Sequence, residues 1–391
     1  MRLLFLAPAP PSDRHGGGAL RMLHLVRFLG ERFAVDLIAP ALDGQQEAER
    51  LLGDVCAGME FVPIHTSSWL SRISHVGPYV TDPALIEAVH QRIGARQYQA
   101  IQVEKPAMLP YVPNGCRLPI VLDVWAYGLS GPWRAVKHER GGLARARNLV
   151  RLARFGFFDS FCWPNLHSLL VVSHDDLVRS ERARLRQRTL VVPNGVDCST
   201  VTAKSAYEAS KPVLLFTGDM SFQPNIDAAL FLTGEVFPEI RREYPGAELR
   251  IVGRNPDRRI QGLAEGGVVV TGAVPDMLPH LHDGTVYVAP HFTGAGTRTK
   301  LLEAMAAGLP IVTTTVGIEG IDAQPGRDVL IADTTKDMVE SLLTLLASAD
   351  DRRRFGLAAR RLAEARYDWN RCLGPLEEVY REIVSPEAMA C

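Results

Sequence analysis

The stretch from Thr285 to Thr314 leaves the chain few ways to fold. Thr285–Ala289 is an apolar run of strand length, and Ile311–Thr314 begins another. Between them two glycines, Gly294 and Gly296, allow a tight bend. A segment with Leu301, Leu302, Met305 and Ala306 on its apolar side follows at helical spacing. Thr297 is placed to cap that helix, and Gly308-Leu309-Pro310 to stop it. Strands alternating with helices in this way belong to a parallel α/β sheet.

The same stretch suits an anion. A glycine loop feeding a helix N-terminus offers free backbone N–H groups and the positive end of the helix dipole. Arg298 and Lys300 add formal charge in the first turn, where cations oppose the dipole, so a bound anion is expected to compensate them. Lys300 and Glu303 are three apart and share a helix face. A cation for phosphate beside a carboxylate for two ribose hydroxyls would hold a nucleotide. From spacing alone, Lys300 and Glu303 could equally form a surface ion pair, with the glycines only a turn.

A chain of 391 residues is too long for one comfortable core and suits two domains. The net charge of -1 names no partner. The 6 cysteines contain no Cys-x-x-Cys pair, so neither zinc nor a disulfide framework is indicated and a reducing cytoplasm is expected. The apolar start Met1–Ala7 ends at Pro8 without a cleavage site and reads as a buried strand rather than a signal peptide. No apolar run reaches the ~18 residues of a membrane span.

In order, Leu3–Ala7, the glycines Gly16, Gly17 and Gly18, an amphipathic helix over Ala19–Leu29 and the strand Ala34–Ala39 open a doubly wound sheet. Gly-x-Gly-x-x-Gly is absent, so the loop is not the dinucleotide fingerprint. Asp123 lies where the strand Pro119–Trp125 should end, the edge at which open α/β sheets bind ligands, and is the candidate polar group for an acceptor hydroxyl; a strand-end cap is the alternative. Between Trp133 and Phe158 seven cations meet one acid, Glu139. Such a basic amphipathic stretch, 134–158, can rest on anionic lipid at the inner face of a membrane, or pack its apolar side and leave its arginines in water. No recognition motif for nucleic acid accompanies it. His174-Asp175-Asp176 reads as a helix start rather than a metal site. The polar run from Asn194 to Lys211 reads as a linker, after which strands and helices alternate again; Ile226–Arg242 is one helix of that second half.

The stretch 290–310 resembles the nucleotide-binding signature of glycosyltransferase family 4, retaining enzymes with the GT-B fold. Four more segments fit in order: Gly16–Arg21, Val191–Asp197, Phe216–Asn225 and Gly317–Ile321. The resemblance implies two Rossmann-like doubly wound parallel-sheet domains facing a central cleft. These are 1–193, with a C-terminal helix 369–391 packing back on it as the acceptor side, and 194–368 as the nucleotide-sugar side. It implies transfer of a sugar from a nucleotide-diphosphate sugar to a hydroxyl of a polysaccharide, lipid-linked glycan or small molecule. Configuration would be retained, with no metal and no cofactor besides the donor. Arg298 and Lys300 would stabilise the departing diphosphate. Gly17, Gly18, Gly218, Asn225, Gly294, Gly296, Thr297, Thr299, Glu303 and Glu319 would hold donor or nucleotide, and His291 would border the site. The chain departs from the family pattern at Ala295, where many relatives carry a glutamate, and at Gly218–Asn225, which lacks the usual Arg and Lys. Two other readings remain: a nucleotide-sugar epimerase of the same fold, and a non-catalytic glycan-binding relative.

Overall fold

The computed structural model describes residues 1–13, 16–64, 81–125, 166–182, 188–209, 211–294 and 296–384, with isolated positions between 136 and 153. Most of the basic stretch 134–158 and Ala295 lie outside the described residues. The chain divides into two compact units: Met1–Pro193 together with the residues from Leu373 onward, and Asn194–Cys372.

The first unit holds a seven-stranded parallel sheet ordered β3-β2-β1-β4-β5-β6-β7. Its strands are β1 (Arg2–Leu6), β2 (Ala34–Pro40), β3 (Gly58–Val62), β4 (Ala100–Glu104), β5 (Ile120–Val124), β6 (Ser168–Val171) and β7 (Arg188–Val191). Strand β1, next to the middle of the sheet, is apolar on both faces, as burial under helices on both sides requires: Leu3, Leu4, Phe5 and Leu6 have no exposure. Strand order reverses between β1 and β4, which makes their C-terminal ends the switch point where such sheets take ligands. The helix Gly374–Val384 belongs to this unit. Tyr380 is fully buried beside Phe33, with its hydroxyl donating to Gln102, while Glu377 meets Arg32 at 3.2 Å.

The second unit repeats the plan with six strands, β10-β9-β8-β11-β12-β13. They are β8 (Val213–Thr217), β9 (Glu248–Val252), β10 (Val268–Val270), β11 (Val286–Ala289), β12 (Ile311–Thr313) and β13 (Leu330–Ile331). Here the order reverses between β8 and β11. Among the described residues no helix is long and apolar enough to cross a membrane.

Two local readings of the sequence are corrected. The helix expected over Ile226–Arg242 is Gln223–Phe231, a wider π turn at Leu232–Val236, and Phe237–Glu243. Pro238 has no N–H for a regular turn and its ring crowds the carbonyl four residues back, so the backbone opens there. The run 194–211 is not a free linker. Tyr207 donates to Gly308 O at 3.0 Å, and Arg352 and Arg360 donate to the carbonyls of Tyr207 and Cys198 at 2.8 Å each. Those bonds lock the run to the second unit, where its carbonyls satisfy buried guanidinium groups.

Candidate functional site

The second unit brings eleven of the expected residues to one edge. Gly218 follows β8, His291 follows β11, and the turn Thr314–Ile321 follows β12, so all three loops leave the C-terminal ends of adjacent strands. The helix Thr299–Ala306 starts beside them. Arg298, not Thr297, occupies its N-cap, and no side chain caps the first turn. The Thr297 hydroxyl instead reaches Gly320 O at 3.4 Å, because the loop turns away before the helix begins. The N–H groups of that first turn are left without a side-chain acceptor. Thr299 opens the helix.

Lys300 is the centre of the arrangement. Its ammonium donates to Thr217 O at 3.0 Å, to Asn225 Oδ1 at 2.6 Å and to His291 Nε2 at 3.1 Å. Three N–H groups thus meet three neutral acceptors. His291 is 2% exposed and is held uncharged: burial, then Lys300, then Arg298 push it down to about 2. The neutral ring places Nε2 3.1 Å from both Lys300 Nζ and Asn225 Oδ1, and Nδ1 3.4 Å from Ala289 O. Burial first, then the nearby Arg298, bring the Lys300 ammonium from 10.5 down to about 7. The ammonium is thus hydrogen-bonded only to neutral acceptors, pressed by the charge of Arg298 and drawn by that of Glu303 without pairing with it.

Lys300 and Glu303 form no ion pair, so a surface ion pair does not describe them. The Glu303 carboxyl makes no hydrogen bond with any described residue, and burial raises it from 4.5 to about 7 against the opposing pull of Lys300. Arg298 turns to the backbone: Nη1 donates to Val316 O at 2.6 Å and Nη2 to Thr293 O at 3.1 Å. It ties the glycine loop to the turn after β12, and its charge acts on Lys300 through space. Glu319 lies half-buried in that same turn.

The glycines are required by close approach. Gly218 has φ 154°, and a Cβ there would stand 2.8 Å from Asn225 Nδ2 and 3.0 Å from Lys300 Nζ. Gly294 and Gly296 take φ 96° and 86°, backbone that L side chains rarely adopt. Asn225 Nδ2 donates to Asp219 O at 2.8 Å, which orients Oδ1 toward Lys300.

Asp123, Gly17 and Gly18 lie in the first unit. Asp123 is fully buried, and its carboxylate takes two bonds from the equally buried Arg21, at 2.6 and 2.8 Å. Trp125 Nε1 adds a third at 3.1 Å. Its oxygens are therefore occupied inside the fold, and its position is that of an internal counter-ion. Glu104 receives Gln102 Nε2 at 2.9 Å and Trp125 Nε1 at 3.1 Å; burial first, then Asp123, hold its carboxyl well above the usual range. Gly17 begins the helix Gly17–Gly30, and a Cβ on Gly18 would stand 1.9 Å from the Trp125 ring. Arg21, Glu104, Lys105 and Trp125 carry no spacing signal as a set, since they come from three segments. The one clue was the place of Glu104, Lys105 and Trp125 at or just beyond strand ends; Arg21 lies inside the helix Gly17–Gly30.

Residues 211–348 match the family model Glycosyl transferases group 1. A phosphatidyl-myo-inositol mannosyltransferase of Mycolicibacterium smegmatis is 28% identical over 225 residues, covering 54% of this chain and 57% of that protein. The chain thus spans little more than half the length of that relative. Among solved structures, sucrose-phosphate synthase from Thermosynechococcus elongatus superposes with a TM-score of 0.74 at 15% identity, over 98% of this chain and 99% of that one. HepE from Anabaena, in complex with UDP-glucose, gives 0.66 at 16% identity over 98% and 100%. The chain therefore carries the GT-B fold, and its residues 211–348 are similar to the Glycosyl transferases group 1 family.

Proposed function

We propose that the protein is a glycosyltransferase that moves a sugar from a nucleotide-diphosphate sugar to a hydroxyl acceptor, with retention of configuration and without a metal at the diphosphate. The observation that carries this reading is the Lys300 ammonium, bonded only to neutral acceptors at a helix start on the switch-point edge. A diphosphate placed there would meet Lys300 and the uncapped N–H groups of the first turn, with the field of Arg298 behind them. As the bond from the anomeric carbon to the diphosphate oxygen breaks, negative charge gathers on that oxygen, and these groups stabilise it. With attack on the face the nucleotide leaves, the departing phosphate accepts the acceptor's proton and no protein nucleophile is needed. Glu303, unpaired and beside Lys300, would accept the ribose hydroxyls.

The test is equilibrium binding of nucleoside diphosphates to the whole chain, followed by product analysis with the matching sugar donors. UDP is the first probe, because HepE was determined with UDP-glucose. Binding that weakens at least about tenfold in Lys300→Ala, with release of nucleotide only when a hydroxyl acceptor is present, supports transfer. Binding of no nucleoside diphosphate rejects the reading.

A further inference from the structure

A second concave region sits at the switch point of the first unit. It is a cavity of about 740 Å³ whose walls follow the ends of β1, β2, β4 and β5. Much of its lining is apolar: Pro8, Pro10, Met22 and Trp125, with Leu42 at 43% exposure. Among the described residues two charged side chains line it, Lys105 and the exposed Asp43.

Lys105 is unusual in three independent ways. It holds φ 70° and ψ 145°, a conformation that costs a side-chain-bearing residue energy and persists only when its surroundings enforce it. Its backbone N–H is fixed to Asp123 O at 2.9 Å, which enforces it. Its ammonium lies 3.7 Å from the centre of the Trp125 ring and makes no hydrogen bond or ion pair with any described residue. Trp125 cannot drift: its indole N–H is shared by Glu104 and Asp123 at 3.1 Å each, and its ring packs where a Gly18 side chain would be. Burial lowers the Lys105 ammonium, so it is partly stripped of water without having gained an anion. The buried Glu104 and Asp123 attract it, but their oxygens are engaged by Gln102, Arg21 and Trp125. The apparatus holds a cation at the wall of an apolar cavity.

We propose that this cavity binds an anionic acceptor, a phosphate or carboxylate attached to an apolar or ring-shaped body. Lys105 grips the anion and Trp125 packs against the body, so Lys105 selects the acceptor's charge. That the ligand is an acceptor rests on the transferase reading; the anion site does not. Asp43, exposed at the rim, works against an anion from the solvent side, where screening weakens it.

The test uses phenyl phosphate, benzoate and benzyl alcohol on the whole chain, by ligand-observed NMR with saturating UDP. The anions are expected to bind at least ~tenfold tighter than the alcohol, as a charge-assisted hydrogen bond provides. Lys105→Met is expected to erase that preference, Lys105→Arg to keep most of it, and Lys300→Ala to leave it unchanged. If the methionine variant does not fold, Lys105→Gly removes the ammonium while relieving the backbone. A phenyl phosphate preference over benzoate identifies phosphate as the group; the reverse identifies carboxylate. Equal binding of the three probes, or a preference that survives loss of Lys105, overturns the proposal. UDP affinity is read in the same samples, so failure of the nucleotide reading would show there and leave the anion cavity standing.

Discussion

The two units place charge at the same point of the same sheet topology and treat it in opposite ways. In the first, Arg21 and Asp123 neutralise each other inside the fold, and Lys105, at the cavity wall, rests on an indole. In the second, Lys300 has no carboxylate partner, and carbonyl, amide and imidazole acceptors hold its charge in place. A paired charge ties a helix to a strand, whereas a charge held by neutral acceptors keeps its formal charge unneutralised. Sequence position does not separate the two cases, since Asp123 and Lys300 both lie near strand or helix ends on the ligand edge.

The comparison can be broken most severely at Arg21. Arg21→Met would strand a buried carboxylate and should cost about 3–5 kcal/mol of stability, whereas Arg21→Met with Asp123→Leu should recover most of it. Denaturant unfolding of both variants decides whether the pair is internal; an unperturbed single variant would return Asp123 to the candidate catalytic groups. Next, Lys300→Met should lose about 1.5–3 kcal/mol of UDP binding, roughly ten- to hundredfold, without loss of stability. A drop in melting temperature to match would make Lys300 structural.

Protonation sharpens the contrast. Folding lowers Lys300 from 10.5 to about 7, so between those values the folded chain holds fewer protons than the unfolded one, and this group's contribution to stability increases with pH. Anion binding has the opposite sign, because it needs the ammonium. Affinity for inorganic pyrophosphate, which has no ribose, should therefore fall as pH rises from 7 to 9, and Glu303→Gln should retain that fall. Titration calorimetry across the range checks both. A flat profile would mean that the first-turn N–H groups alone hold the anion. For UDP itself, Glu303→Gln should weaken binding about tenfold at pH 8, the worth of a hydrogen bond to a charged group. The smallest effect is expected at Lys105: Lys105→Gly should raise stability by about 1 kcal/mol, since relief of the left-handed backbone outweighs the lost ring contact. A lower melting temperature would show that the ring contact stabilises the fold by more than the backbone strain costs it.

Much of the second unit was legible because apolar runs bounded by glycine specify short parallel strands. The loop and helix of 290–310 were likewise legible as a strand–loop–helix unit from local order. Thr297 was misplaced as the cap because the direction of the loop is set by Gly320 and Arg298, not by local propensity. The pairing of Asp123 was invisible, since its partner Arg21 is 102 residues earlier. Lys105 carried no pattern, because left-handed backbone at a non-glycine residue is imposed by tertiary hydrogen bonds. The absence of a Lys300–Glu303 pair is also a tertiary result: Thr217 O and Asn225 compete for the ammonium from across the sheet edge.

The final helix has a consequence for synthesis. The ribosome completes Asn194–Cys372 before it delivers Tyr380, yet that tyrosine fills a closed space in the unit begun at Met1. The earlier-made body must therefore stay unfinished, with a gap beside Phe33 and Gln102, while its successor is translated and folds. Premature termination before Gly374 would harm the part of the protein that was made first and leave the part made second intact.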